Sequence, residues 1–171
     1  MRAVLAIFAL AVASPATAAM QLTSQDLKAG APMPTAQVYT RCGGQNISPQ
    51  LAWSGQPQAV RSLVLTMIDE SVKPNGWSHW VAVDLPPASS AMARGGALPA
   101  GARAIASNFG DAAYAGPCPP HGTGVHRYVI TIWAMPTAKI DIAPDAKATG
   151  VAAMLQKTAI DHASLTVTAE R

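Results

Sequence analysis

Residues Tyr128–Met135 read Tyr-Val-Ile-Thr-Ile-Trp-Ala-Met and would offer apolar side chains to both sides of an extended chain. Neighbours along a strand point to opposite faces. Tyr128, Ile130 and Ile132 therefore share one side, and Val129, Thr131 and Trp133 the other. A strand that is apolar on both faces is unstable at a surface, so the run predicts a central strand covered on both sides. It is fed by the loop Gly-Pro-Cys-Pro-Pro-His-Gly-Thr-Gly-Val-His-Arg-Tyr, residues 116–128. Proline fixes φ and cannot donate, and glycine lets backbone approach closely. Such a loop is stiff, has few N–H groups, and delivers His126 and Arg127 to the mouth of the buried strand. That combination fits a small anion site. It also fits a loop that only holds a strand in register.

Other segments complete a mainly β pattern. Ser62–Ile68 and His79–Leu85 have the Val, Leu, Ile and Thr content of buried strands, the second closed by Pro86-Pro87. Gln37–Thr40 reads as a short strand running into the turn cluster Cys42-Gly43-Gly44-Gln45-Asn46. Residues 88–107 lack periodicity and read as a long surface connection. Val151, Met154, Leu155, Thr158 and His162 recur at helical spacing, with Thr149 and Gly150 at the start. On that reading His162 ends the helix, where a cation complements the helix dipole. Ser164–Thr168 alternates as a closing strand. Several strands with one late helix predict an antiparallel β-sandwich with short peripheral helices. The 171 residues suffice for one sizeable core, and no repeat or linker divides residues 19–171, which read as one domain.

The first residues read differently. Met1-Arg2 is a short positive region, Ala3–Ala13 is an apolar run too short to span a bilayer, and Ala16-Thr17-Ala18 is a small-x-small cleavage site. Residues 1–18 are expected to be a signal peptide, cleaved after Ala18 or, as the alternative, after Ala19. The expected location is periplasmic or secreted, with no membrane anchor in the mature chain. Of 12 Lys and Arg, Arg2 lies in the leader, so eleven face nine Asp and Glu. The basic residues are scattered, which argues against a nucleic-acid footprint. Two cysteines, Cys42 and Cys118, in an exported chain permit a disulfide. Two reduced, buried thiols are the alternative, and the count alone allows either.

Three segments gain meaning in their shared order. They are Asn46-Ile47-Ser48-Pro49-Gln50-Leu51-Ala52-Trp53-Ser54-Gly55; Leu65-Thr66-Met67-Ile68-Asp69 with Gly76-Trp77-Ser78-His79-Trp80; and the loop ending His126-Arg127-Tyr128. With Asn108-Phe109-Gly110, Tyr114 and Leu98-Pro99-Ala100-Gly101, the chain closely resembles the phosphatidylethanolamine-binding protein family, in its bacterial Raf-kinase-inhibitor-like branch. The resemblance implies a central antiparallel sheet packed on a smaller one, and a pocket for a phosphate-like group. It places Asp69, His79, His126 and Tyr128 at the pocket, Trp77 at its wall, and Gly116, Pro117 and Cys118 in the loop beside it. The family's Asp-Pro-Asp-x-Pro run is altered here to Asp69-Glu70-Ser71-Val72-Lys73-Pro74, with Ser71 for the second aspartate and one extra residue before Pro74.

Elementary chemistry limits that pocket. Imidazoles donate to an anion, more strongly once protonated. An ionised Asp69 repels phosphate, so it is expected to pair with a histidine and fix its tautomer. His121 reads as a solvated loop residue, and Trp53, Trp80 and Trp133 as core. Ser78 is no partner for His79, because strand neighbours face opposite ways. The leading expectation is a non-catalytic binding protein, without cofactor, that holds a small anionic or phosphorylated ligand, with a protein partner that it inhibits or modulates as an extension. The alternative is a metal-dependent enzyme using two histidines and one carboxylate. A serine or cysteine hydrolase lacks a nucleophile–base–orienter set.

Overall fold

The computed structural model describes residues 19–142 and 148–171, so the expected leader lies outside the described residues. The described chain is mainly β. Its elements are β1 (Gln21–Thr23), β2 (Leu51–Ser54), β3 (Ser62–Asp69), β4 (Trp77–Leu85), β5 (Ala91–Met92), β6 (Arg103–Ile105), β7 (His126–Met135), α1 (Ala148–Thr158) and β8 (Asp161–Ala169). Five strands form one antiparallel sheet in the order β6-β4-β3-β7-β8, and β1-β2-β5 form a smaller antiparallel sheet. The two sheets pack face to face.

β7 lies inside the large sheet, paired with β3 and β8, and is covered on both faces as its composition requires. Leu63, Leu65, Met67, Ile130 and Ile132 meet Leu22, Leu51, Trp53 and Met92 of the small sheet in one apolar core. On the other face, Val64, Val81, Val83 and Trp133 pack against Val151 and Leu155 of α1. Burying a Val or Leu side chain contributes about 1.5–3 kcal/mol, so two such layers anchor the sheet from both sides. Trp53 and Trp80 are core residues, and the Trp53 indole donates to Ser89 O at 2.7 Å.

Three expectations need correction. Gln37–Thr40 is not a strand. Gln37 N–H donates to Pro34 O and Val38 N–H to Thr35 O, forming turns that run into a 3-10 turn at Thr40–Cys42. Gly43, at φ 83°, ends it in the left-handed conformation that glycine adopts without strain. Residues 88–107 contain the edge strands β5 and β6, too short to show a readable period. His162 does not end the helix. The helix stops at Thr158, and His162 is the second residue of β8, where its ring stacks on Trp133 at 5.1 Å.

One end of β4 is tied down by a buried charge. The register between β3 and β4 shifts beside Asp84, whose φ is 60°. The Asp84 carboxylate accepts from Arg103 Nε at 2.7 Å and from Ile140 N–H at 2.8 Å, and Lys139 Nζ stands 3.5 Å away. Burial opposes the charge, but these three donors outweigh it and hold the carboxyl below its ordinary range.

Candidate functional site

The other end of β3, β4 and β7 brings the polar residues together. Along β3, Leu63, Leu65, Met67 and Asp69 alternate onto the face toward the small sheet, so Asp69 prolongs an apolar stripe. Asp69 is directly opposite Tyr128 on β7, and His126, two residues from Tyr128, shares that face. His79 reaches the cluster by a different device. Met67 pairs with Trp80, but Ile68 pairs with Ser78, so His79 is an extra residue in β4. Such a β-bulge bends the strand and re-aims a side chain. It turns the His79 ring onto Tyr128, edge to face, at 5.0 Å. Asp69, His79, His126 and Tyr128 are all buried.

Asp69 is spoken for on both oxygens. Oδ2 lies 2.6 Å from His126 Nδ1, and Oδ1 accepts from Ser71 N–H at 2.9 Å. The other ring nitrogen of His126, Nε2, is 2.8 Å from the Thr123 hydroxyl. His126 thus has both nitrogens engaged by protein, so its role is to fix the carboxylate and the loop. His79 differs. Its Nδ1 donates to Ala115 O at 2.8 Å, while Nε2 takes no hydrogen bond within the described residues. Every fully enclosed side-chain N or O among those residues has a partner, so Nε2 is not fully enclosed. Burial lowers the His79 pKa from its ordinary value, against the opposing pull of the Ala115 carbonyl and the Asp69 charge. Tyr128 is pushed up, first by burial and then by the Asp69 carboxylate beside it.

Aromatic rings wall the site. Phe109 lies 5.0 Å from His79, 6.0 Å from Trp77 and 5.4 Å from Tyr39. Trp77 itself is 38% exposed, the rim of this end of the sheet. The loop beside it is a holder rather than a cradle of free donors. Gly116 N–H donates to Asn46 Oδ1 at 2.7 Å, and Pro117 O accepts from Tyr39 N–H at 3.1 Å. A Cβ on Gly116 would fall 2.0 Å from Gln37 O, so only glycine fits. Cys118 is bonded to Cys42, with a Cα–Cα distance of 5.6 Å. Among the described residues no three His, Cys, Asp or Glu side chains gather as metal donors.

Several contributors escape a residue-by-residue reading. Thr123 and the Ala115 carbonyl are ordinary loop atoms whose importance appears only when they meet the rings. Phe109 and Asn46 belonged to recognisable motifs, but their partners lie far away in sequence. Ser71, where the family pattern has a second aspartate, accepts from Arg127 N–H at 3.0 Å and ties the β3–β4 loop to β7. His121 is exposed, as expected. Ser78 is bonded to Asn108, through Ser78 Oγ donating to Oδ1 at 2.7 Å.

A family model described as phosphatidylethanolamine-binding protein matches residues 23–170. The chain belongs to that family. Among phosphatidylethanolamine-binding protein relatives, UPF0098 protein YbcL of Escherichia coli K12 is 35% identical over 162 residues, covering 90% of this chain and 88% of that protein. LppC of Mycobacterium tuberculosis H37Rv, whose name carries the word lipoprotein, is 32% identical over 157 residues, covering 92% of this chain and 75% of LppC. The crystal structure of E. coli YbcL, described as a new member of the mammalian PEBP family, superposes with a TM-score of 0.83 at 33% identity, covering 90% of this chain and 99% of that one. These matches establish the family and the two-sheet fold.

Proposed function

We propose that this protein is an exported, non-catalytic binding protein, and that the Asp69–His79–His126–Tyr128 cluster holds a small phosphate-like anion. The observation that carries this reading is the state of His79. Its Nδ1 is fixed on Ala115 O, leaving Nε2 as the one ring nitrogen of the cluster without a protein partner. The exposed Trp77 beside it offers the surface on which a protein partner would engage.

The tautomer decides which anion binds best. Neutral His79 has a lone pair at Nε2, which accepts but cannot donate. Sulfate, purely an acceptor, gains a bond from Nε2 only after the ring is protonated. Burial holds that event below the ordinary histidine value, so sulfate affinity is expected to rise as pH falls below about 6.5. Binding should then take up a proton, and bound sulfate should raise the His79 pKa. A phosphomonoester monoanion carries its own P–OH, which donates to neutral Nε2. It should outbind sulfate near neutrality and strengthen as pH falls through its second ionisation, about pH 6. His79→Ala should weaken sulfate binding at acid pH by roughly 1.5–3 kcal/mol, the scale of a bond to a charged group. Calorimetric titration at two pH values decides this. Affinity independent of pH, with no loss in His79→Ala, would return His79 to a structural role.

Export is supported by the Met1-Arg2 start, the apolar run, the Ala16-Thr17-Ala18 site and the Cys42–Cys118 bond. It is also supported by the relative whose name carries the word lipoprotein. Intact mass of periplasmic protein should show loss of residues 1–18 or 1–19. A periplasmic species that retains Met1 would count against it.

A further inference from the structure

The face of the large sheet that carries α1 is not fully covered. A cleft of about 490 Å³ lies there, between α1, the strands β3, β7 and β8, and the loop that follows Asp69. Its size falls within the usual range for small-molecule sites, about 300–1,000 Å³. It is separate from the cluster described above, since Thr66, Thr131 and Ser164 point to the side of the sheet opposite Asp69 and Tyr128.

A sheet face beneath a helix is ordinarily apolar, and one half of this one is. The other half is not. Thr66 is directly opposite Thr131, and Thr131 is directly opposite Ser164, so three hydroxyls cross three strands in one row. Trp133 Nε1 donates to Thr66 Oγ1 at 2.9 Å, and the Thr131 and Ser164 hydroxyls are 2.8 Å apart. Thr66 is fully buried, yet its own O–H has no acceptor within the described residues. Of the Thr131–Ser164 pair, only one hydroxyl proton is used between them. The helix does not close over this row. It presents Ala152 and Ala153, small residues where large ones would fill the space. The charged lining residues Glu70 and Lys73 are exposed and of opposite sign, with Arg127 3.8 Å from Glu70, and His162 is the other titratable side chain of the lining.

We propose that this cleft is a second binding site, for an uncharged polyhydroxylated ligand of the saccharide class. Hydroxyls on a rigid sheet can each donate and accept, which suits a ligand whose groups do the same. The Trp133 indole, already bonded to the row, would report occupancy. The site is independent of the anion reading, because it shares none of its side chains.

The test is a 1H–15N titration of the full mature protein with glucose, N-acetylglucosamine and maltose, each to roughly 50 mM, deep enough for millimolar affinity. Citrate serves as the charged comparison. A saturable shift of the Trp133 indole cross-peak with at least one sugar is expected. It should be retained in His79→Ala and weakened at least tenfold in Ala153→Trp, which fills the cleft from an exposed helix position. Ser164→Ala should weaken it severalfold and covers the case in which the tryptophan variant misfolds. No shift with any of the three sugars overturns the proposal. So does a shift that survives both cleft variants, or preferential binding of citrate there.

Discussion

Replacing Cys42 and Cys118 together by alanine is expected to destabilise the protein by about 4 kcal/mol. The bond joins residues 76 apart in sequence, and on the chain-entropy account a loop of that length constrains the unfolded chain strongly. Its location adds a functional consequence. It clamps the 3-10 turn at Thr40–Cys42 to the loop whose Ala115 carbonyl sets the His79 tautomer. Reduction of the wild type should therefore shift the urea midpoint to that of the double variant. It should also weaken anion binding in protein that is still folded. A difference below about 1 kcal/mol between oxidised and reduced protein would show that the neighbouring backbone bonds hold the loop unaided.

Removing one member of the Asp69–His126 pair should cost nearly as much. The two side chains are almost completely buried and 2.6 Å apart. Taking the hydrogen-bond partner from a buried carboxylate costs up to about 3–5 kcal/mol, because the group is left without solvent or partner. His126→Ala strands the carboxylate with Ser71 N–H as its remaining donor, and also removes the contact to Thr123. Asp69→Asn in that background takes away the stranded charge, so the double variant should recover much of the loss. Urea unfolding of the four proteins in a double-mutant cycle measures the coupling. Additive effects would mean that the pair contributes no interaction of its own.

The fold was legible where the sequence obeyed a simple period. β7 announced itself by apolar residues on both faces of Tyr128–Met135, and the Ser62–Ile68 and His79–Leu85 runs by their strand-like content. The edge strands did not, because two or three residues carry no period. Gln37–Thr40 misled because its composition is strand-like while Pro34 and the close approach of Gly116 turn the chain. His162 was misplaced for a related reason. Helical spacing from Val151 continues by chance into β8, and nothing local marks the break after Thr158.

The candidate site was legible as a set of residues but not as a set of roles. Asp69 pairing with a histidine was foreseeable from charge alone. Which histidine was not, since that depends on Thr123 and Ala115 meeting the rings from distant loops. The loop at Gly116 fitted either an anion site or a holder of the strand, because its proline content leaves few N–H groups. The Asn46 side chain, seventy residues earlier in sequence, takes the Gly116 one.

The extra residue at His79 makes strand length, rather than residue identity, the property on which this end of the sheet depends. Side chains on β4 keep one phase from Val83 down to Trp80 and the opposite phase from Ser78 to Trp77. Delete one residue between them and this stretch of the ladder would become regular. The histidine would then face α1 and its ring would lose Tyr128 and the Ala115 carbonyl. Lineages descended from such a chain can exchange side chains around the rim freely, but a single-codon deletion in this short stretch would erase the arrangement while leaving the sandwich intact.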